Sequence, residues 1–336
     1  MNPQERYLPS IKLEMQRLVT SHADGPEDLY LMLRYHLGWV DKDFQAVDLE
    51  AGKRVRPILL LLTTEAHGGD WRAALPAAAA VELLHNFTLI HDDIEDQDRT
   101  RRGRPTLWSL WGIPQAINAG DALFTISYRA MLDLETRGHP ASTVTLALRR
   151  FTEGTIRITE GQHRDIGFED DGDVTEERYL AMIAGKTSAL IGLAAELGAI
   201  AAGATPAAQS NHRRFGEALG KAFQMYDDLL GLWGDPRRTG KPVASDLIRR
   251  KKTLPILRGM RLSPRFRDLM LEGNLNQERI AEALAELERC QCRAYTEERA
   301  RHYHDMALAA LDASGGSGES FEALHTLAEN LLGRQR

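Results

Sequence analysis

The chain has 336 residues, 43% hydrophobic and 27% charged, with 42 Lys and Arg against 48 Asp and Glu for a formal net charge of −6. That is the composition of a soluble globular protein with a sizeable core, and it carries no basic footprint of a nucleic-acid binder. Its two cysteines, Cys290 and Cys292, form a lone C-x-C, too close for an easy disulfide and too few for a structural zinc site; the usage fits a reducing cytoplasm.

Helical periodicity dominates and strand-like alternation is scarce. In chain order, helices are expected over 4–21, 26–36, 54–67, 73–96, 119–135, 141–160, 175–200, 210–230, 253–259, 277–295, 299–311 and 319–332. Breaks fall at turn-forming residues, among them Gly68-Gly69, Gly138 before Pro140, Gly203 before Pro206, and Gly315-Gly316. The fold class read from this is all-α, a bundle forming one domain over 1–336, since no break is long enough for a domain linker. Residues 1–18 carry charges throughout and offer no signal peptide. The most apolar stretch, from Ala189, is short for a span and broken by Glu196, so it reads as a helix buried among helices and not as a stable membrane insertion. The acidic segment 167–177 lacks EF-hand spacing and reads as a connection, with Thr175 capping the next helix and Glu176 and Glu177 near its positive end.

Two aspartate clusters carry the chemistry. Asp92, Asp93, Asp96 and Asp98 lie in LIHDDIEDQDRTRRG, and Asp227, Asp228 and Asp235 in FQMYDDLLGLWGDPRRTGKP, each at the polar end of an apolar helical run. At about 100° per residue, Asp92, Asp93 and Asp96 share one arc of about 100°. Carboxylates so crowded repel unless a cation binds. Oxygen-only ligands suit Mg²⁺, which takes one or two carboxylates and fills its shell with waters and substrate phosphates. Basic residues follow each cluster: Arg99, Arg101, Arg102 and Arg104 after the first, Arg237, Arg238 and Lys241 after the second. The pattern points to a diphosphate substrate.

The segments AGKRVRP (51–57), ELLHNFTLIHDDIEDQDRTRRGRPT (82–106), INAGD (117–121), TEGQHRDI (159–166), AGKTSAL (184–190), FQMYDDLL (223–230) and GDPRRTGKPVASDL (234–247) resemble, in order, those of the trans-type isoprenyl diphosphate synthases. Within that family the chain looks most like a geranylgeranyl diphosphate synthase. The resemblance implies an all-α bundle of the isoprenoid synthase type with a central cavity, a homodimer in the cytoplasm, and Mg²⁺, three ions, used to join an allylic diphosphate (dimethylallyl, geranyl or farnesyl) to isopentenyl diphosphate.

By the same resemblance, Asp92, Asp93 and Asp96 form one metal-binding motif, and Asp227 and Asp228 belong to the second. Arg101, Lys186 with Thr187, and Lys241 bind the allylic diphosphate, and Gln224, on the acidic arc, makes a polar contact there. Lys53, Arg56, His85 and Arg102 match the isopentenyl diphosphate contacts. Gln162 and Asp165 stand near the metals, outside direct coordination. Phe87, five residues before Asp92, is expected to close the pocket into which the product tail grows, with the smaller Thr88 beside it. That combination suggests a C20 product, with farnesyl diphosphate as the nearest alternative.

The chain departs from the family pattern at one point: where the second motif often reads D-D-x-x-D, the fifth position is Gly231. If the helix continued, Asp235 would project from the same arc and could supply a water-mediated contact; if it ended at Gly231 or Gly234, Asp235 would merely cap a turn. Two other functions share the ionisation chemistry or the fold: a terpene cyclase, which needs no isopentenyl pocket, and a non-catalytic regulatory subunit, which has no need for so costly a cluster of charge.

Overall fold

The computed structural model describes residues 3–20, 25–49, 52, 54–168, 171–235, 244–271 and 275–333, and nearly all of their regular structure is helical, as the periodicity leads one to expect. The first ten helices are α1 (Pro3–Leu18), α2 (Glu27–His36), α3 (Val55–Ala66), α4 (Leu75–Glu95), α5 (Leu107–Trp111), α6 (Ile113–Leu132), α7 (Ala141–Gly167), α8 (Glu176–Ile183), α9 (Ala189–Ala201) and α10 (Pro206–Trp233). The segment Ala184–Ser188, between α8 and α9, forms a π turn. Short helices follow at Ser245–Ile248, Leu254–Leu262 and Pro264–Leu271, then longer ones at Gln277–Arg289, Cys292–Asp312 and Gly318–Gly333. Among the described residues the only strands are β1 (Thr100–Arg101) and β2 (Arg104–Pro105), an antiparallel hairpin too short for alternation to reveal.

The described chain divides into two compact units. The first comprises Met1–Phe151, Ala194–Gln209 and Gly316–Ala323; the second comprises Thr152–Leu193, Ser210–Gly315 and Leu324–Arg336.

In the first unit, Tyr7, Ile11, Met15 and Leu18 recur along one stripe of α1, and all four are fully buried, facing α3 and α4. Helix α4 opens LPAAAAVELL, apolar on every side except at Glu82, and those residues are buried through Leu84. Such a helix must be surrounded, and α1, α3 and α6 pack on it. Truncating a fully buried leucine here, such as Leu83, would cost about 2–5 kcal/mol. From His85 onward the burial loosens: His85, Phe87, Thr88 and Asp92 are partly exposed. The core thus anchors α4 rigidly and leaves its last three turns to carry function.

The second unit has two hydrophobic clusters. One gathers Leu232, Leu247, Ile256, Phe266, Leu269 and Leu287. The other gathers Phe168, Tyr179, Met182, Ile183, Met225 and Leu254. Residues 176–201 are long and apolar enough to cross a membrane by length and composition, and 72% of that apolar window is buried within the protein.

Candidate active site

The first acidic cluster sits in the last turn of α4, where the helix dipole is negative and carboxylates are least favoured. Asp92 is half-buried and Asp96 exposed, whereas Asp93 is 2% exposed. Arg101 meets Asp93 with its Nε 2.6 Å from Oδ1. Burial pushes the Asp93 carboxyl up to about 6, against the pull of Arg101 and with help from the nearby Asp98 and Asp96. Arg101 closes β1, and the two-residue loop to β2 is Arg102-Gly103, both at positive φ (53° and 73°), as a type I′ turn requires. A non-glycine residue held there is strained, a cost typical of functional positions.

Arg102 belongs to a cationic cluster of the first unit. Its guanidinium lies against Gly52, in the loop before α3, and feels Glu82, Arg101 and Arg54. Arg56, on α3, has its Nε buried without a hydrogen-bond partner, a donor awaiting an acceptor. His85, half-buried on α4, is held well below its usual pKa by burial and then by Arg56, Arg102 and Arg101. The expected isopentenyl diphosphate residues Arg56, His85 and Arg102 are therefore electrostatic neighbours, and a neutral imidazole among guanidiniums is a fit partner for an anion. Lys53 lies outside the described residues, as do Arg237, Arg238 and Lys241.

The second unit builds its own constellation. On α7, Gly161 packs directly on the π turn: a Cβ there would collide with the Lys186 backbone nitrogen, and one on Gly185 would lie 2.7 Å from the Arg157 carbonyl oxygen. The two glycines let the backbones touch. The π turn, a feature common at functional sites, then aims Lys186 and Thr187 at α7 and α10. Lys186 pairs with Asp165 of α7 through Nζ and Oδ2. Thr187 donates its Oγ1 hydrogen to Gln224 Oε1 at 2.8 Å, and Gln224 donates from Nε2 to Asp228 Oδ1 at 3.1 Å.

The paired aspartates of α10 are unlike. Asp227 is exposed, and Asp228 is 2% exposed. Asp228 accepts from the Tyr179 hydroxyl at 2.6 Å and from the Leu254 backbone N–H at 3.1 Å, as well as from Gln224. Burial pushes its carboxyl up to about 7 despite these three donors.

Helix α10 passes through Gly231 and stops at Trp233, so Asp235 follows the helix instead of extending its arc. The space that a fifth-position side chain would need is filled by another carboxylate: a Cβ on Gly231 would collide with Asp246, which is 9% exposed. Asp246 was within reach of sequence reasoning, since it lies in the last matching segment. Glu82, which opens the segment 82–106, was within reach on the same ground; His36 and Tyr179 were not, because nothing in their local pattern separates them from ordinary core and surface residues.

The donor set suits the metal the family implies. Asp92 and Asp96 in the first unit, and Asp227 in the second, each present carboxylate oxygens outside the fully buried core, with no thiolate among them. Among the described residues no three His, Cys, Asp or Glu side chains form a ready cage. Mg²⁺ keeps waters and takes substrate phosphate oxygens, so it needs no such cage.

Comparison with known proteins places the chain in a family. The polyprenyl synthetase family model matches residues 39–287. A (2E,6E)-farnesyl diphosphate synthase of Mycobacterium tuberculosis is 38% identical over 313 residues, covering 90% of this chain and 86% of that one. A geranylgeranyl diphosphate synthase of the same organism is 46% identical over 231 residues, covering 69% of this chain and 65% of that one. In structure, a polyprenyl synthetase from Streptomyces coelicolor A3(2) superposes with a TM-score of 0.88 at 34% identity, covering 98% of this chain and 97% of that one. The fold and these similarities define a prenyl-transferring enzyme. The chain belongs to the polyprenyl synthetase family and is a short-chain trans-prenyltransferase, of a family that uses Mg²⁺.

Proposed function

We propose that the enzyme condenses isopentenyl diphosphate with an allylic diphosphate and releases geranylgeranyl diphosphate as its main product. The observation that carries this reading is the cationic cluster of Arg56, His85 and Arg102, set beside the Arg101–Asp93 pair in the same unit. One diphosphate with metal would need only the acidic motif and its cations. A second group of phosphate donors, faced by the single buried carboxylate of Glu82 and not by an acidic motif, implies a second diphosphate, which a cyclase has no use for.

In the proposed reaction the allylic C1–O bond breaks and diphosphate leaves with the electron pair. The isopentenyl double bond then attacks C1, and the released diphosphate takes the proton lost from C2. Arg101, Lys186 and Lys241 stabilise the departing diphosphate, with Thr187 and Gln224 as polar contacts. Lys53, Arg56, His85 and Arg102 hold the isopentenyl diphosphate. Asp92, Asp93, Asp96 and Asp227, with Asp228 assigned through its motif, are the residues toward Mg²⁺, three ions in all. When bound, the metal offsets negative charge on the leaving diphosphate.

Phe87 supports a short product. Its ring stands 5.0 Å from that of Phe124 and 4.7 Å from that of His91, and the aromatic series continues through Tyr128 to Phe151. Thr88 beside it donates to the His85 carbonyl at 2.8 Å. One blocking ring next to one small side chain favours C20 over C15. The whole chain is taken to act as one catalytic domain, in a cytoplasmic homodimer. Incubating purified protein with Mg²⁺, isopentenyl diphosphate and each allylic starter, followed by chain-length analysis, tests the reading. A dominant C20 product supports it; a C15 end product replaces geranylgeranyl by farnesyl diphosphate synthesis, and no elongated product refutes it.

A further inference from the structure

A cavity of about 300 Å³ in the first unit is lined by Arg101 and Arg102 of the hairpin and by Tyr35, His36 and Gly38 from the end of α2 and the residues after it. The latter three belong to none of the family-like segments. They are nevertheless built as one body with the hairpin. The Tyr35 hydroxyl donates to the Pro105 carbonyl at 2.9 Å. Arg104 donates to the carbonyls of Tyr35 at 3.0 Å and Val40 at 2.8 Å, and its guanidinium lies 4.0 Å from the centre of the Tyr35 ring. The end of α2 is thereby stapled to the strands that carry Arg101 and Arg102.

The cations of this region have different tasks. Arg101 faces Asp93, which also lines the cavity, and covers its charge. Arg104 is spent on the backbone of 35–40. Arg102 and His36 line the cavity together, one from each of the two elements so joined. The imidazole of His36 is kept neutral, at about 3, by burial and then by Arg101, Arg102 and Arg104, with a hydrogen bond to the Asn86 side chain opposing; the second ring nitrogen is the one offered to a ligand. Crowding further full charges among these guanidiniums would be repulsive, whereas a neutral ring adds an N–H donor at no such cost.

We infer that His36 is a second imidazole donor to the diphosphate of isopentenyl diphosphate, acting with His85. This rests on the reading that Arg56, His85 and Arg102 hold that substrate. A diphosphate presents oxygens in several directions, and His36, which shares the cavity with Arg102 and is an electrostatic neighbour of His85, offers a donor from α2 beside those of α3 and α4.

The test compares His36→Leu with His36→Gln, of similar size, the second keeping an N–H donor. Arg56→Ala serves as reference. His36→Leu is expected to raise KM for isopentenyl diphosphate about tenfold, as for a lost hydrogen bond to a charged group, with the allylic KM changed less than about twofold. His36→Gln is expected to recover most of that loss. Calorimetric titration of isopentenyl diphosphate into the metal-free variants reads the same effect without turnover. Unchanged KM and affinity in His36→Leu, with Arg56→Ala impaired, would overturn the role of His36 alone. If Arg56→Ala is also unimpaired, the pocket assignment itself falls. Equal losses in His36→Leu and His36→Gln would assign the effect to packing and overturn the proposal.

Discussion

The Tyr179 hydroxyl is bound to Asp228 at 2.6 Å, and that bond separates two adjacent aspartates into different trades. Asp228 turns inward to three donors, while Asp227, its chain neighbour, stays exposed. Asp227→Ala should therefore lower turnover by orders of magnitude with little change in thermal midpoint. Asp228→Ala should also destabilise the fold, because it orphans the Tyr179 hydroxyl and the Leu254 N–H at about 1–3 kcal/mol each. Asp228→Asn keeps an acceptor and should recover part of the midpoint. Thermal melts with kcat on the three variants check this; a larger melting loss in Asp227→Ala than in Asp228→Ala would contradict it.

Gly231 is required by Asp246. A methyl group there meets the Asp246 carboxylate, which is too buried to swing freely into solvent. Gly231→Ala should cost about 1–3 kcal/mol through overpacking, despite the higher helix propensity of alanine. Gly231→Ala combined with Asp246→Ala should regain stability relative to the single change. A double-mutant cycle in denaturant measures the coupling, and additive losses would show that the two positions do not share this space.

How long the product grows should depend on two rings in series. Phe87 stands five residues, about 7.5 Å, before Asp92 on α4, and Phe124 on α6 backs it at 5.0 Å. Phe87→Ala should shift products toward C25 and beyond, Phe87→Ala with Phe124→Ala further still, and Thr88→Phe toward shorter chains. Chain-length analysis decides. An unchanged distribution in active Phe87→Ala enzyme would make Phe87 ordinary core.

Much of this was legible from the sequence, and the limits have physical causes. Helix α4, expected over 73–96, is Leu75–Glu95, and Thr175 caps α8 by accepting from the Arg178 N–H at 3.2 Å. Period and capping chemistry are local signals. Helix α6 starts at Ile113 and not near 119, with Pro114 in its first turn, and α7 runs on to Gly167, past 160, through residues whose polarity hides their period. The helix expected over 277–295 ends at Arg289, because Gln291 adopts φ 53° without a glycine or proline to announce it. Nor could one continuous helix over 175–200 be told from one interrupted by a π turn, since the interruption answers to Gly161 on another helix. The residue types of the site were readable in order, but the inward turn of Asp228 depends on partners at 179, 224 and 254, which no local pattern connects.

Acid should weaken the fold through two histidines. His36 is held at about 3 by burial, then by Arg101, Arg102 and Arg104 with Asn86 opposing, and His85 is held well below 6.5 by burial, then by Arg56, Arg102, Arg101 and His36. Both remain neutral when folded and take up protons near 6.5 when unfolded. Their depressed pKa values contribute stability that is present above about pH 6.5 and is lost as pH falls toward about 3. Between about pH 6.5 and 5, unfolding free energy in His36→Gln should fall less steeply than in the wild type, by up to about 1.4 kcal/mol per pH unit, one proton's worth. Equal slopes would contradict the depressed His36.

We propose that this chain alone, with Mg²⁺, joins isopentenyl diphosphate to an allylic diphosphate. Purified protein with farnesyl diphosphate and radiolabelled isopentenyl diphosphate should transfer label into a C20 diphosphate, with one inorganic diphosphate released per label incorporated. Excess chelator should abolish the transfer, and Asp92→Ala should reduce it by orders of magnitude. Farnesyl diphosphate consumed without incorporation of label, or no turnover at all by the protein alone, would contradict the account.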